Sequence, residues 1–395
     1  MPRPGARPLR APSARARRPR EGSARSPGGA EVDGRGGVGG AATRGNFEEV
    51  LGDRSQGTCP KAHVRRIGQR TLGALLLLVV GLVLSACAAP LRYSAYVEAA
   101  SYRQGPLSPR ARVFLIAGGV DVANFAEEVV IQRRFWRSQG LTDDEIACYY
   151  AKPVRSGYEG DRRQFRRLLA DLDGCYPAST DLVRRHLAEA ARRAPPFLYV
   201  YVTSHGLPSL VGPGVPLPPD EIDLLDNYLL QLGAGVGYGI HGRRILAAYR
   251  KGAAADDLLF TPRALASALA QAPADTAKIL VLQGCHSGGF LDEPRGRAEA
   301  LTSLPNLTAI AAARYDRTSF GCDAGPDQTY FGGLFNRLLP EYAAGKAPPE
   351  VAWRSLYDHL RREIEVIEAN EGATPSEPVF YASPTAAPTN SQSAG

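Results

Sequence analysis

Unbroken apolar runs along this chain alternate with stretches of helical spacing, and the alternation predicts a sheet with helices packed on it. Short runs at 112–119, Ile146–Tyr150, Phe197–Thr203, 278–283 and 307–313 have the length and composition of strands buried on both faces. Between them the apolar period lengthens. Val122, Phe125, Val129, Val130 and Phe135 mark a helix over 122–139, which Gly140 stops. Thr180 is placed to cap a second helix running to Arg193, with Asp181 in its first turn. Thr261 and Pro262 open a third, one as cap and the other in first position. Residues 330–344 and 348–369 read as two more helices and Val379–Tyr381 as a last short strand. Strand and helix taking turns in this way predict one α/β domain with a parallel sheet. The Gly- and Pro-rich stretch 207–242 is too long for an ordinary connection and is expected to be a lid or binding loop.

Composition changes this picture at the N-terminus. Residues 1–63 are rich in Arg, Pro, Gly, Ala and Ser, and cannot bury enough apolar area to offset chain entropy, so disorder is expected. The chain carries a formal charge of +7, yet residues 1–86 alone hold 15 basic and 6 acidic residues, a net of +9. The rest is therefore at −2, which removes the basic pI as an argument for nucleic-acid binding. Residues 64–86 have the three parts of a secretory signal: Arg65-Arg66, an apolar run from Leu72 to Leu84, and a small-residue exit. The run is short for a bilayer span. Leu84-Ser85-Ala86-Cys87 resembles a bacterial lipobox, which implies a lipid on Cys87 and an envelope protein. Ala88 after that Cys implies outer-membrane sorting, facing the periplasm. A signal starting this far into the chain leads to the expectation that Val64 is the true start and 1–63 an upstream extension; a long disordered leader is the alternative. Residues 87–110 then read as a tether, 111–383 as the folded domain and 384–395 as a disordered tail.

Two of the strands end in reactive residues. Phe197–Thr203 leads into Ser204-His205-Gly206, and Lys278–Gln283 into Gly284-Cys285-His286-Ser287-Gly288-Gly289. Open α/β sheets bind ligands at the carboxyl ends of their strands, so His205 and Cys285 are placed to share one crevice. An imidazole stabilises a thiolate and can later protonate a leaving amine. The neighbouring glycines allow a sharp turn and close backbone approach. The N–H groups of Gly206 and Cys285 are candidate oxyanion donors. Ser287 lacks the surroundings of a serine nucleophile. His286 beside Cys285 has poor spacing for zinc, and no metal or cofactor is expected. Of the remaining cysteines, Cys59 lies in the suspect extension. Cys148, Cys175 and Cys322 are odd in number and fix no disulfide framework. Cys148 reads as a small buried hydrophobe, and a Cys175–Cys322 bridge is one open pairing.

An apolar strand ending in Ser-His-Gly, followed by one ending in Gly-Cys-x-Ser-Gly, resembles the legumain family of cysteine peptidases. The segment from Ala311 to Cys322 and Thr329-Tyr330-Phe331-Gly332 fit the same family. The resemblance covers about 112–382 and implies a caspase-like three-layer sandwich, its mainly parallel central sheet flanked by helices. It implies Cys285 as nucleophile, His205 as general base and acid, and Asn124 as the residue that orients the His, though a turn or cap role for Asn124 stays open. Ser319 is a candidate substrate contact or a turn residue. Ala126 and Gly333 stand where the family's asparagine pocket has charged residues, so asparagine specificity does not follow. His205 lies 80 residues before Cys285, farther than in caspases. The expected activity is endopeptidase hydrolysis of a protein or peptide through a thioester. A catalytically silent binding module and a transpeptidase on the same fold are the alternatives.

Overall fold

The computed structural model describes residues 102–119, 124–151, 162–211, 216–233, 242–321 and 328–384. Cys59, the signal segment with Cys87, Val122, Cys322 and the tail after residue 384 lie outside the described residues. Strands are β1 (Val113–Ala117), β2 (Ile146–Tyr150), β3 (Tyr176–Pro177), β4 (Phe197–Thr203), β5 (Gly206–Leu207), β6 (Leu229–Leu230), β7 (Ala277–Gln283), β8 (Leu307–Ala311) and β9 (Val379–Ala382). Helices are α1 (Asn124–Ser138), α2 (Arg162–Asp171), α3 (Thr180–Arg192), α4 (Pro219–Leu225), α5 (Gly242–Arg250), α6 (Ala255–Leu258), α7 (Pro262–Leu269), α8 (Glu299–Thr302), α9 (Tyr330–Ala343) and α10 (Trp353–Glu371).

Seven strands form one sheet in the order β3-β2-β1-β4-β7-β8-β9. Every pairing in it is parallel except β8 with β9. The chain builds outward from β1 through β2 and β3, then returns to lay β4 on the other edge of β1. That reversal opens a crevice at the carboxyl ends of the central strands.

The unbroken apolar runs follow from burial on both faces. Every residue of β1, β2 and β4 is buried. Phe197, Tyr199 and Tyr201 face a core shared with α1, α9 and α10, where Trp136, Phe335 and Leu356 pack. Leu198, Val200 and Val202 face the opposite core with Val183 and Leu187 of α3 and Leu265 and Leu269 of α7. This is the expected three-layer α/β sandwich with a mainly parallel sheet. Fully burying each such side chain contributes on the order of 1.5–3 kcal/mol, which is why alternation by face, not polarity, sets the pattern. Lys278 breaks the apolar run of β7 and is still buried, because its ammonium donates to the carbonyls of Thr276 (2.9 Å), Pro305 (3.1 Å) and Pro273 (3.2 Å).

Several boundaries differ from expectation. Ser179, not Thr180, is the N-cap residue of α3, and its side chain makes no cap hydrogen bond. The helix read from 348 splits into a single turn at Pro348–Glu350 and α10. Thr261 does cap α7, its side chain accepting from the Ala264 N–H at 3.2 Å. The stretch after Gly206 is not an irregular lid throughout. It contains β5, α4 and β6, and Leu224, Leu225 and Leu229 join Ile245, Leu258 and Leu259 in a small core of their own. The largest correction concerns the thiols. Cys148 is not a free buried hydrophobe but is disulfide-bonded to Cys175, which also removes the Cys175–Cys322 pairing. Their 27-residue separation hid the bridge, since only the pairing of β2 with β3 brings them together.

Candidate active site at the ends of two central strands

Parallel pairing of β4 with β7 sets Thr203 opposite Gln283. The register continues past the strands, where the Ser204 N–H donates to the Gln283 carbonyl at 3.2 Å. His205 and Cys285 therefore leave adjacent strands at the same level. Both are half-buried.

Glycine makes this approach feasible. A Cβ on Gly206 would lie 1.7 Å from the Cys285 carbonyl oxygen, so only hydrogen fits. Gly284 has φ +154° and would set a Cβ 2.6 Å from the Ser204 carbonyl. The two candidate oxyanion amides, Gly206 and Cys285, thus belong to backbones in direct contact. Gly206 is held from outside by pairing with Leu230 in the small β5–β6 sheet.

Each reactive side chain has its own surroundings. The His205 ring meets Phe125 edge-on, with centroids 5.2 Å apart. Its carbonyl accepts from the Gln231 N–H at 2.8 Å. The Cys285 thiol sits against Ser319, accepting from its N–H at 3.4 Å and donating to its carbonyl at 3.5 Å. Burial pushes the thiol pKa up, and the Ser319 N–H offsets part of that. The bond to the Ser319 carbonyl needs the thiol proton. Ser319 itself is buried and presents its main chain to the sulfur.

His286 is left-handed at φ +57°, which turns the chain sharply after the nucleophile candidate. Its N–H donates to the Arg317 carbonyl, and Nδ1 lies 2.9 Å from the Tyr315 carbonyl. A carbonyl partner requires Nδ1 to carry a proton. Burial lowers the His286 pKa, with the Tyr315 carbonyl and Asp316 opposing it. Ser287 is buried and its oxygen accepts from the Ala312 (3.0 Å) and Ala313 (3.3 Å) N–H groups, a structural task. Among the described residues no group of three His, Cys, Asp or Glu side chains is placed to hold a metal ion.

Asn124 begins α1 and is buried, its Nδ2 donating to the Gly321 carbonyl at 2.8 Å. The described bond thus ties α1 to the segment that carries Ser319. Ala126 is buried in the core and Gly333 lies one turn into α9, so neither position presents a charge to a pocket.

Sequence reading overlooked the polar side of α1. Asn124, Glu128 and Gln132 recur every fourth residue and are all buried. Gln132 bonds Asn336 (2.5 Å), Trp136 (3.2 Å) and Tyr199 (3.1 Å). Glu128 accepts from Tyr201 and Thr203 on β4 and from Thr329 before α9. The apolar helical stripe drew attention away from this second stripe beside it; an Asn-x₃-Glu-x₃-Gln spacing within an otherwise buried helix was the available signal.

No protein-family model matches the sequence, and comparison with curated proteins finds no match either. Among solved structures the chain is similar to the protein GSU0716 from Geobacter sulfurreducens, at 12% identity over 71% of this chain and 96% of that one, with a TM-score of 0.41. It is also similar to caspase-1 from Spodoptera frugiperda, at 10% identity over 71% of this chain and 92% of that one, with a TM-score of 0.37. Likenesses this distant decide nothing about activity, and the functional reading rests on the site.

Proposed function

We propose that this protein is a caspase-like cysteine endopeptidase anchored to a bacterial envelope by lipid on Cys87. The observation that carries the peptidase reading is the meeting of Ser204-His205-Gly206 and Gly284-Cys285 at the ends of neighbouring parallel strands, with Gly206 against the Cys285 backbone and Gly284 against that of Ser204. In this reading the Cys285 thiol turns from Ser319 toward His205, which takes its proton. Sγ adds to the scissile carbonyl carbon, and the oxygen's developing charge is met by the Gly206 and Cys285 N–H groups. His205 returns the proton to the leaving amine as the C–N bond breaks, leaving a thioester. Water, deprotonated by His205, then releases the acid and restores the thiol.

The disulfide supports export, because such bridges persist in oxidising compartments and are rare in the cytosol of mesophiles. Among the described residues no helix is long and apolar enough to cross a membrane. In this reading the anchor is the lipid on Cys87.

A peptidyl electrophile tests the chemistry. It should label Cys285 in the wild type and leave Cys285→Ala unlabelled. His205→Ala should slow the reaction by about 10²–10⁴-fold. Equal labelling of all three proteins would falsify the dyad. Anchoring is read separately: the wild type should partition with membranes and Cys87→Ser with the soluble fraction, and identical partitioning would remove the lipid assignment.

A further inference from the structure

Glu128 is fully buried in the middle of α1, and its four described hydrogen bonds all come from neutral donors. Oε2 accepts from the Tyr201 hydroxyl at 2.8 Å and the Thr203 hydroxyl at 2.6 Å. Oε1 accepts from the Thr329 N–H at 2.8 Å and the Thr329 hydroxyl at 2.7 Å. Room for the carboxylate is made by Gly332, where a Cβ would lie 2.1 Å from the Glu128 carboxyl carbon. Burying a charge costs several kcal/mol unless its oxygens are well supplied with donors. Here two donors come from the sheet and two from the entry to α9. A helix cap alone does not account for this, since Thr329 already caps α9 by accepting from the Gly332 N–H at 2.9 Å.

Both arms lead to the candidate site. Thr203 is two residues before His205 and pairs with Gln283, two residues before Cys285. On the other arm, Thr329 precedes Tyr330, whose N–H donates to the Phe320 carbonyl at 3.1 Å. Phe320 follows Ser319, whose N–H and carbonyl hold the Cys285 sulfur. One turn earlier on α1, Asn124 holds Gly321.

We propose that Glu128 is a positioning residue of the Cys285–His205 site, tying the end of the His205 strand to the Ser319–Gly321 segment that cradles the thiol. The proposal rests on the peptidase reading only for its kinetic consequence; the tie itself is independent of it. One detail shows how tightly the network is coupled. The Thr203 hydroxyl also lies 2.8 Å from Gln283 Oε1, while Gln283 Nε2 is buried without a partner among the described residues. A hydroxyl has one proton. With Glu128 ionised that proton is committed to the carboxylate, and Gln283 Oε1 keeps the Ser204 N–H at 3.2 Å as its donor. Glu128 and Gln283 Oε1 therefore compete for one proton, two residues before each reactive residue.

The test is amide hydrogen exchange on the full-length protein, wild type against Glu128→Gln, joined to the rate of peptidyl-electrophile labelling. Exchange at the Ser319 and Thr329 amides should speed up at least tenfold in the variant, with β1 and β2 amides unchanged. The saturating labelling rate of the folded variant should fall at least tenfold. Unchanged exchange at Ser319 and Thr329, or an equal rise at every strand, would overturn the assignment, the second outcome making Glu128 a matter of overall stability. Should Glu128→Gln fail to fold, Thr203→Val removes the sheet donor nearer His205 and leaves the Thr329 arm in place. It should slow labelling while Ser319 keeps its protection, and wild-type labelling there would equally overturn the proposal. Wild-type protein that never takes the electrophile, together with local loosening in Glu128→Gln, would sink the peptidase reading and leave the tie standing.

Discussion

Strand β4 presents two unlike faces to two cores. Leu198, Val200 and Val202 meet α3 and α7 through aliphatic contact. Tyr199, Tyr201 and Thr203, interleaved with them, meet α1 through hydrogen bonds to Gln132 and Glu128. Both faces are buried to the same degree, yet they answer different physical demands. Aliphatic contact is non-directional, so it stabilises the sheet without fixing where a strand end sits. Hydrogen bonds are directional and costly to leave unmade when buried, so they fix position. The polar face is the one whose network reaches the residues flanking His205 and Cys285.

Substitutions on β4 sharpen that contrast. Leu198→Ala should show the largest loss of stability, about 2–5 kcal/mol by denaturant unfolding, with the labelling rate of the folded protein preserved. Tyr201→Phe should cost less, about 1.5–3 kcal/mol, because it deletes one donor to a charged group. It should nevertheless slow labelling where Leu198→Ala does not. A reversal of the two labelling results would break the distinction between the faces.

Acid should act on the faces with opposite signs. The aliphatic side also holds His186, whose Nδ1 lies 2.9 Å from the Tyr149 hydroxyl. Its pKa is lowered to about 4, first by burial and then by Arg185, Arg103 and Arg193 nearby. Below about pH 6.5 the unfolded chain takes up a proton that the folded His186 refuses, so stability falls toward pH 4. His186→Gln should remove that loss. Burial raises the Glu128 pKa, with the bonds from Thr203, Thr329 and Tyr201 opposing it. The folded state therefore binds the Glu128 proton before the unfolded state does, and this group's contribution rises as pH falls toward 4.5. Glu128→Gln should lack that gain. Unfolding free energies at several pH values for the two variants check both slopes, and slopes of the same sign would refute the assignment. These are the smallest of the expected effects.

Much of the architecture was legible as pattern. Ile146–Tyr150 and Phe197–Thr203 are the strands their apolar runs predicted, and Thr261 caps the helix it was expected to cap. A run buried on both faces needs no partner information to be seen. Ser179 takes the cap position expected of Thr180, and since its side chain makes no cap bond, the capping rule had nothing to distinguish the two adjacent hydroxyl residues. The site was half legible. Ser204-His205-Gly206 and Gly284-Cys285 stood out because reactive residues and glycines follow apolar runs. Glu128 did not, since a single Glu in a helix reads as solvated until its neighbours are known.

What the sequence determined alone is the set of local preferences: which segments extend, which coil, and where the backbone must do without a Cβ. Tertiary structure decided which ends became neighbours. It set His205 level with Cys285 through the β4–β7 register, joined Cys148 to Cys175, and closed two chain segments on Glu128. The physical reason is range. Burial period and turn geometry act over a few residues and are written consecutively. Disulfides, strand register and buried carboxylate networks depend on groups far apart in the chain, and their partners exist only once the sheet has formed.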